Sequence, residues 1–493
     1  MPLRRLPLAL LAALALLGAV TACTSEAAGD PVGKPATQPA PTVTTNTPPP
    51  RDKLKLVVEN GRQSPGTVIA GVGDAVYNYA PAVMLDQGKV RTWWCSQMGI
   101  AAPSGDDILY SEGPGADGPF TTAHPVFSGS GGSFDAMHTC DPSLVKIGDT
   151  YFMYYTGASR DDHANGSSVG VATSKDGVSW TRANGGQAIL GSSGDIIREN
   201  TYGAGQQSAI YLDGWVYLLF TDTTGFAGAT NGAGQYVLRS KDPLFTRGVE
   251  TLSPQGFKPV QKTNEARTRS VVEAFSADWM WIDAASAFAI AHSTDEGTTI
   301  TFWNREFTRH PFDPVVIPGP WKEGPGLVRT PEGHAPIHAG GPCDKVGIDV
   351  LRATATGSAA PTGIRHFGID ALGLNGCATP DEAKVLDGFS VPSPERTADV
   401  VVNGEVVRFE RGSAAAKYAR GVIGWRPKIV DSFQVAVRVP ASAPAVLGPN
   451  GLAGLLVGNK LVVIKSLEVA QSNSSEVSVV TQEQWNRYDR LLS

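Results

Sequence analysis

The stretch that decides the fold runs from Cys140 to Tyr155 and reads CDPSLVKIGDTYFMYY, and it continues from Val169 to Gly177 as VGVATSKDG. Two runs of apolar and aromatic residues flank a Gly-Asp turn. A third run ends at a Lys-Asp-Gly turn, and Trp180 opens a fourth. Short runs of this composition between turn residues are typical of β-strands. The stretch therefore predicts a four-stranded antiparallel meander.

The same order of runs recurs elsewhere in the chain. The further copies run from Tyr79 to Glu112, from Gln206 to Asp242, from Asp278 to Trp303 and from Gly324 to Arg352. Repeated units of roughly sixty residues, each one a meander, are typical of the blades of a β-propeller. We therefore expect an all-β protein with a five-bladed β-propeller over residues 54–377. A β-sandwich with similar strands is the alternative.

The repeat stops near residue 378. Asp399 to Phe409 predicts a hairpin, because its Asn403-Gly404 pair tolerates the positive φ angles of a tight turn. Further strand-like runs lie at 434–439 and 461–464. We expect a small β-rich C-terminal module over residues 378–493, and its sequence indicates no role.

The N-terminus has the features of an export signal. Arg4 and Arg5 precede an apolar run from Leu6 to Val20 that is short for a membrane span. The run ends in Val-Thr-Ala-Cys23, which resembles a bacterial lipobox, whose cysteine becomes lipidated. We expect a lipoprotein signal over residues 1–23 and a Pro- and Thr-rich tether over residues 24–53. An ordinary signal peptide is the alternative. With the lipoprotein signal, the protein would be exported and lipid-anchored to the outer face of the cell membrane.

The amino-acid composition limits the kinds of partner that the protein is expected to bind. With 56 Gly and 35 Pro but only 18% charged residues, the chain suits a turn-rich β protein. The net charge of -6 gives no sign of the clustered Lys and Arg side chains that bind the phosphates of nucleic acids. Beyond Cys23 an even number of cysteines remains, which favours two disulfides in an exported protein. Of the three possible connectivities we expect the sequential one, and metal binding is the weaker alternative. The four cysteines are Cys95, Cys140, Cys343 and Cys377.

The starts of the predicted inner strands are where chemistry is expected. Propeller blades direct these strand starts at one end of a central axis, so carboxylates far apart in sequence would face each other there. Hydrolysis of a glycosidic bond needs two such groups, one acid and one base or nucleophile.

The chain resembles glycoside hydrolase family 43 and its five-bladed relatives from about Tyr77 to Leu372. The resemblance rests on the Asp-Pro-Ser blade, the Ser-Lys-Asp-Gly-x-Ser-Trp turn that begins at Ser174, and Glu323-Gly324-Pro325. It implies a general base at an Asp next to Pro, a second Asp that orients the base and tunes its pKa, a general acid at the Glu, and inversion.

Carried over by position, the resemblance implies Asp141 as the base, Asp278 near the second Asp and Glu323 as the acid. The family has its base in the first blade, whereas Asp141 is in the second copy and Ala80 occupies the matching place in the first. A circular shift of the blades would reconcile the two. Without it, Gln206 occupies a carboxylate site and the standard machinery is missing.

Each candidate also has a structural interpretation. Asp141 could cap a strand turn, and Glu323 could be a solvated loop carboxylate. Asp278 could be a turn residue, in which case Glu273 is the reserve candidate for the second Asp position. Most tryptophans are expected in the core, although one or two could line a sugar subsite. The predicted substrate-binding residues are His138, Gln206, Trp94, Asp162 and His163.

Two functions follow from this pattern. The first is a surface glycoside hydrolase acting on pentose-containing glycans of the arabinan, arabinoxylan or xylan type. The second is a non-catalytic propeller that binds a glycan or a protein at the cell envelope. We expect a polysaccharide or oligosaccharide partner, no cofactor and no metal in the site, with a structural Ca²⁺ in the axis left open.

Overall fold

The computed structural model describes residues 53–70, 75–97, 105–160, 163–355, 362–449 and 451–491. The predicted signal peptide, Cys23, nearly all of the predicted tether and Asp162 lie outside these residues. The described chain is all-β, with short helices only. None of the helices within it is both long and apolar enough to cross a membrane.

Antiparallel meanders follow one another up to Leu372, in the places that the repeat predicts. The first contains β2 (Tyr79–Asp86), β3 (Lys89–Gln97), β4 (Asp106–Gly113) and β5 (His124–Phe127), and it is preceded by strand β1 (Val57–Gln63). The second contains β6 (His138–Ile147), β7 (Thr150–Ala158), β8 (Ser168–Ser174) and β9 (Thr181–Arg182). The third contains β10 (Ala204–Leu212), β11 (Trp215–Asp222), β12 (Gln235–Ser240), β13 (Glu250–Ser253) and β14 (Gly256–Pro259), one strand more than predicted.

The remaining meanders complete this part of the chain. The fourth contains β15 (Ala277–Ile282), β16 (Ala287–Thr294), β17 (Gly297–Asn304) and β18 (Val315–Pro318). The last contains β19 (Glu323–Arg329), β20 (Lys345–Ala355) and β21 (Thr362–Leu372), and β1 pairs antiparallel with β21 at its edge. Short 3-10 helices lie at Asn184–Gly186, Thr230–Gly232, Asp283–Ala285, Glu382–Leu386 and Lys428–Ser432.

The first strands of the five meanders form a closed ring. Strands β2, β6, β10, β15 and β19 each contact the next, and β19 contacts β2. The last contact is a parallel pairing of Val328 with Val83, which joins the first and last meanders into one eight-stranded sheet. The N-terminal ends of these strands therefore meet at one end of the ring.

A chain segment crosses the opposite end of the ring. Residues 330–335, here called the closing segment, follow β19. Their carbonyl groups accept backbone hydrogen bonds from Lys146 (2.8 Å), Tyr211 (2.8 Å) and Trp281 (3.2 Å), which lie near the C-terminal ends of three first strands. Gly333 has a φ of 85°, and a Cβ there would lie 3.0 Å from the carbonyl oxygen of Ala209. The ring is thus bridged at this end.

The C-terminal region contains two sheets of the same topology. The first has β22 (Phe389–Pro392), β23 (Ala398–Val402), β24 (Glu405–Phe409), α1 (Gly412–Tyr418), β25 (Gly421–Val422) and β26 (Val435–Val439). The second has β27 (Ala445–Leu447), β28 (Ala453–Val457), β29 (Lys460–Ile464), α2 (Leu467–Ser472), β30 (Val477–Val479), α3 (Gln482–Asn486) and β31 (Asp489–Leu491). The orders are β25-β22-β23-β24-β26 and β30-β27-β28-β29-β31, with parallel pairing at both edges of each. The two sheets share one topology, which the sequence analysis did not detect.

An apolar core continues across residue 378, where the repeat pattern stops. Buried residues of the fourth meander and the segment after β21, such as Ile282 and Leu374, share one hydrophobic cluster with Phe389 and Val391 of β22. Both predicted disulfides are present. Cys95 pairs with Cys140, and Cys343 pairs with Cys377.

Candidate active site

Four of the first strands carry the same backbone irregularity near their N-terminal ends. Ala80, Asp141, Gln206 and Gly324 have φ angles of 44°, 45°, 48° and 40°, and the strand register shifts at each position. The left-handed conformation costs a residue other than glycine about 1–2 kcal/mol. Its recurrence shows that these positions are structurally equivalent, as the sequence comparison of Ala80, Asp141 and Gln206 assumed.

These positions surround an opening at the N-terminal ends of the ring. The residues that line it come from all five first strands and their approaches. They are Ala80, Pro81, Ala82, Asp141, Pro142, Ser143, Gln206, Gln207, Ser208, Ser276, Ala277, Asp278, Gly324, Pro325 and Arg329.

Asp141 is buried beside this opening. The hydroxyl of Tyr202 donates a hydrogen bond to its Oδ2 (2.9 Å), and its backbone N–H points at Cys95 Sγ (2.8 Å). The Cys95–Cys140 disulfide therefore ties the backbone of Asp141 to β3. Burial, with a smaller effect of the Asp106 charge, raises the pKa of the Asp141 carboxyl to about 6, against the bond from Tyr202.

Glu323 precedes the left-handed Gly324 and is partly buried. The hydroxyl of Tyr77 donates to its Oε2 (2.8 Å). Burial, together with the smaller effects of the negative charges of Asp141 and Asp106, raises the pKa of the Glu323 carboxyl to about 7, against the bond from Tyr77.

The two carboxyl groups lie within electrostatic reach of each other, because the Asp141 charge adds to the pKa of Glu323. Between about pH 6 and pH 7, Asp141 is mostly ionised while Glu323 is mostly protonated. A base and an acid within electrostatic reach of each other are a pair that acid–base catalysis can use.

The tyrosines Tyr77 and Tyr79 and the carboxylate of Asp106 also belong to this part of the site, and the sequence analysis missed them. The Tyr77 and Tyr79 rings are 5.1 Å apart, and Asp106, at the start of β4, forms a hydrogen bond with Tyr79. The alternation of Tyr77 and Tyr79 at a strand start was a usable signal. Asp106 was missed because only the first strands were searched for carboxylates.

Asp278 is buried, and its carboxylate is held by donors from three first strands. Its Oδ1 accepts hydrogen bonds from the Ser208 hydroxyl (2.5 Å) and the Trp279 backbone, and its Oδ2 accepts one from the Leu327 backbone (2.6 Å). The guanidinium of Arg329 forms an ion pair with it at 3.1 Å. The carboxylate therefore joins β10, β15 and β19, and its predicted part in the reaction stays a prediction.

The structure brings three predicted substrate-binding residues close to Asp141. The His138 ring stacks on His163 with 5.4 Å between centroids, and His163 contacts the Tyr202 ring at 5.2 Å. Gln206 is 7% exposed, and its Oε1 is a buried acceptor with no hydrogen-bond partner among the described residues. That oxygen is enclosed by the protein, so the predicted contact of Gln206 with a substrate stays a prediction.

Trp94 was expected to line a sugar subsite, and the structure corrects this. Its side chain has no exposed surface, and its indole N–H donates to Asn78 Oδ1 (2.9 Å). A ring in that position packs in the core and cannot reach a ligand. Asp162 lies outside the described residues, so its predicted contact stays a prediction.

The disulfides remove the thiolates on which the alternative of a cysteine metal site depends. Cys95, Cys140 and Asp141 form a compact group of potential ligand atoms, yet the two sulfur atoms are joined in a disulfide. Sulfur in a disulfide is not the thiolate that holds a metal ion.

Comparisons with known proteins were made on both sequence and structure. No protein-family model matches this chain, and no curated protein matches it. A family 117 glycoside hydrolase of Zobellia galactanivorans superposes with a TM-score of 0.43 and 13% identity over 63% of this chain and 90% of its own. The catalytic domain of a family 62 α-L-arabinofuranosidase of Coprinopsis cinerea gives 0.41 and 11% over 63% and 97%.

The α-L-arabinofuranosidase of Podospora anserina gives a TM-score of 0.40 and 10% identity over 63% of this chain and 97% of its own. These similar structures are all glycoside hydrolases. At TM-scores below 0.5, they say nothing about the activity of this chain.

Proposed function

We propose that the protein is a glycoside hydrolase with Asp141 as general base and Glu323 as general acid. The observation that carries this proposal is the pair of carboxyl groups at one open end of the ring, with pKa values of about 6 and about 7. An acid and a base that differ in protonation near neutral pH are what the reaction uses.

The residues present account for each proton of the step. Glu323 gives its proton to the glycosidic oxygen as the bond from that oxygen to the anomeric carbon breaks. A water molecule forms the new bond to this carbon on the opposite face and gives its proton to Asp141. Tyr77 and Tyr202 each donate a hydrogen bond to one carboxyl oxygen, which holds the two groups in orientation. The product would have inverted stereochemistry.

The number of blades, the likeness to a family and the class of substrate are also proposals. The closed contact order of the first strands supports a five-bladed β-propeller, and Glu323-Gly324-Pro325 and Asp141-Pro142 support a likeness to family 43 with shifted blades. On that likeness the substrate is a pentose-containing glycan of the arabinan, arabinoxylan or xylan type. The candidate contact for a sugar hydroxyl is the Gln206 side chain, which belongs to the lining of the opening beside Asp141.

Export and anchoring belong to the same proposal. The lipobox-like sequence at Cys23 and the oxidised Cys95–Cys140 and Cys343–Cys377 pairs support an exported lipoprotein on the outer face of the cell membrane. Glycans outside the cell would then be the accessible substrates.

A second function, glycan binding without catalysis, is favoured by one observation. Two of the positions equivalent to Asp141 are Ala80 and Gln206, which provide no carboxylate. A propeller that has lost part of its acidic set could retain a glycan in the same opening.

The first test is activity. The chain from Lys53 onward is incubated with arabinan, xylan and aryl pentosides, beside Asp141→Asn and Glu323→Gln. We expect each variant to lose at least about a hundredfold in kcat, because each removes one proton transfer. Both substitutions keep the size of the side chain, and asparagine also tolerates the left-handed conformation at position 141.

The outcomes separate the two functions. Sugar release lost in both variants supports the hydrolase and the residue assignment. Release retained in both variants contradicts the assignment. No release from any glycan, with glycan retained on the wild-type protein, supports the binding function.

A further inference from the structure

We propose that His366 is a pH-sensitive latch between the first and last meanders of the ring. With both ring nitrogens protonated, it holds the connection between β4 and β5 (residues 114–123) against β20 and β21. It releases this connection when it loses a proton. The inference goes beyond the proposed function and does not depend on it, since none of the residues that line the opening takes part.

The His366 side chain bridges two carboxylates from different meanders. It lies in β21 and is buried. Its Nδ1 lies 2.6 Å from Asp117 Oδ1, in the β4–β5 connection, and its Nε2 lies 2.8 Å from Asp349 Oδ1, on β20. The imidazole therefore spans the same junction of first and last meanders that the pairing of β2 with β19 closes.

This geometry requires a proton on each nitrogen of His366. Asp349 Oδ1 also accepts a hydrogen bond from Arg62 Nε (2.9 Å). Burial opposes the charge of Asp349, but the bonds from His366 and Arg62 outweigh it and lower the Asp349 pKa. A carboxylate only accepts hydrogen bonds, so a ring nitrogen that faces one must donate. An imidazole that donates from both nitrogens is an imidazolium.

The surroundings of His366 stabilise this positive charge. Burial opposes it, but the hydrogen bonds and charges of Asp349 and Asp117 outweigh burial and raise the pKa of His366 above its usual value. The nearby guanidinium of Arg62 is itself neutralised by Asp349 and Asp370. By element, the charged groups around the imidazole are Arg62 on β1, Asp117 on the β4–β5 connection, Asp349 on β20, and Arg365 and Asp370 on β21.

An ion-pair cluster beside the latch does not depend on the His366 proton. Asp370 pairs with Arg62 (2.7 Å) and with Lys345 (2.9 Å), which ties β1, β20 and β21 together. Arginine and lysine keep their charge well above neutral pH. His338 Nε2 lies 4.0 Å from Asp370 Oδ2 and adds a second histidine to this cluster. Deprotonation of His366 therefore leaves the strands of the last meander joined.

Asp117 is the contact that deprotonation releases. A neutral imidazole has one N–H and can donate to one carboxylate only. Asp349 keeps its bond from Arg62 and lies on the strand that pairs with β21, whereas the Asp117 side chain is 63% exposed. The backbone hydrogen bonds described for residues 114–123 stay within the first meander. Alkaline pH should therefore loosen this connection without opening the ring.

The protonation state of His366 can be measured directly. The chain from Lys53 onward, with isotope-labelled histidine nitrogens, is followed by NMR from pH 5 to pH 10, and His366→Gln identifies the signal of His366. We expect both of its nitrogens to carry a proton at pH 7, where an ordinary histidine is mostly neutral. A neutral His366 at pH 7 overturns the proposal.

Hydrogen exchange of residues 114–123 measures the release. Exchange is followed by mass spectrometry from pH 6 to pH 9 and corrected for the chemical rate at each pH. We expect the corrected rate in the wild type to rise about threefold or more, because the open state gains population when His366 is neutral. In Asp117→Asn the corrected rate should be high at every pH. A corrected rate that does not rise in the wild type overturns the proposal.

His338→Gln is the matched control, because His338 is also a histidine beside an aspartate of this sheet, but its partner is Asp370. We expect this variant to keep the rise in exchange. Loss of the rise in His338→Gln would assign the effect to the wrong histidine and overturn the proposal. If His366→Gln does not fold, the His366 signal is the one whose pKa falls in Asp117→Asn, a change at a largely exposed side chain.

The pH dependence of stability tests the sign independently. A histidine whose pKa is raised by folding stabilises the protein fully below about pH 6.5, and this contribution is lost as the pH rises through the folded-state pKa. The melting temperature of the wild type minus that of Asp117→Asn should therefore be largest near pH 6 and fall toward zero by pH 9. A difference that is constant with pH overturns the proposal. None of these measurements uses a glycan, so their outcomes are separate from those that test the hydrolase.

Discussion

Two features of Asp141 each cost free energy of folding. Its carboxyl is buried, and its backbone has a φ of 45°, which side chains other than Asp and Asn rarely adopt. Costs of both kinds gather at functional sites, where the surrounding structure holds them in place. Asn at this position keeps the backbone conformation and removes only the charge.

We predict that Asp141→Asn stabilises the protein at neutral pH. The folded state raises the Asp141 pKa to about 6, so the protonated form favours folding. That contribution is complete below about pH 4 and is lost as the pH rises to about 6. The variant does not lose it, and its advantage at pH 7 is on the order of 1–3 kcal/mol. The melting temperature of the variant minus that of the wild type should grow between pH 4 and pH 7.

Asp213→Asn is the matched control for this prediction. Asp213 has a φ of 49°, close to that of Asp141, but its side chain is 53% exposed. The same substitution there removes a carboxylate from water and not from the interior. A difference curve that grows with pH in both variants would contradict the role of burial.

At the residue scale, the sequence predicted which residues belong to the site better than it predicted the contacts that they make. Asp141 and Glu323 were found because an acidic residue next to a proline or a Gly-Pro pair is visible in one dimension. Asp106 and Tyr202 act across strands that are distant in sequence, and no local pattern marks them. Trp94 was chosen because strand aromatics face either the core or a ligand, and the sequence does not distinguish the two.

At the scale of the element, the bulges near the first-strand N-termini should cost stability wherever the left-handed residue is not glycine. We predict that Ala80→Gly raises the stability by up to about 1 kcal/mol, because the relief of the left-handed conformation exceeds the entropy cost of glycine. Ala82→Gly, on the same strand without a positive φ, should lower the stability. Chemical denaturation of both variants measures the difference, and a loss in both would contradict the strain.

The strands themselves were predictable, because each is a short apolar run between turn residues. The exceptions have physical reasons. Strand β1 is mostly exposed and shows no apolar alternation, and β14 is a short strand with little buried surface. The shared topology of the two sheets after residue 378 was not predicted, because strand order depends on pairing between segments that no local pattern marks.

At the scale of the whole molecule, the closing segment depends on one close approach. We predict that Gly333→Ala destabilises the protein well beyond the cost of a positive φ, because its Cβ would meet Ala209 and Ile210 at 3.0 and 3.2 Å. Gly214→Ala is the control, since Gly214 has a similar φ of 79° and open space around it. That control should lose only about 1 kcal/mol. Equal losses by thermal or chemical unfolding would contradict the packing argument.

The ring could be expected from the number of repeats, but its closure could not be located. It depends on the parallel pairing of Val328 with Val83 between strands far apart in the chain. The path of the closing segment was equally hidden, because it is made by backbone hydrogen bonds that carry no side-chain signal.

The disulfide beside Asp141 has a practical consequence for making this protein. Cys95 and Cys140 lie 45 residues apart and sit directly against the backbone of the residue proposed as base. Production in a reducing cytosol would leave both as thiols next to a carboxyl group, in a chain whose other strands could still assemble. Such a sample could be soluble and monodisperse yet give no turnover. Expression through an oxidising secretory route, with a count of free thiols, is therefore the first quality criterion for any kinetic result.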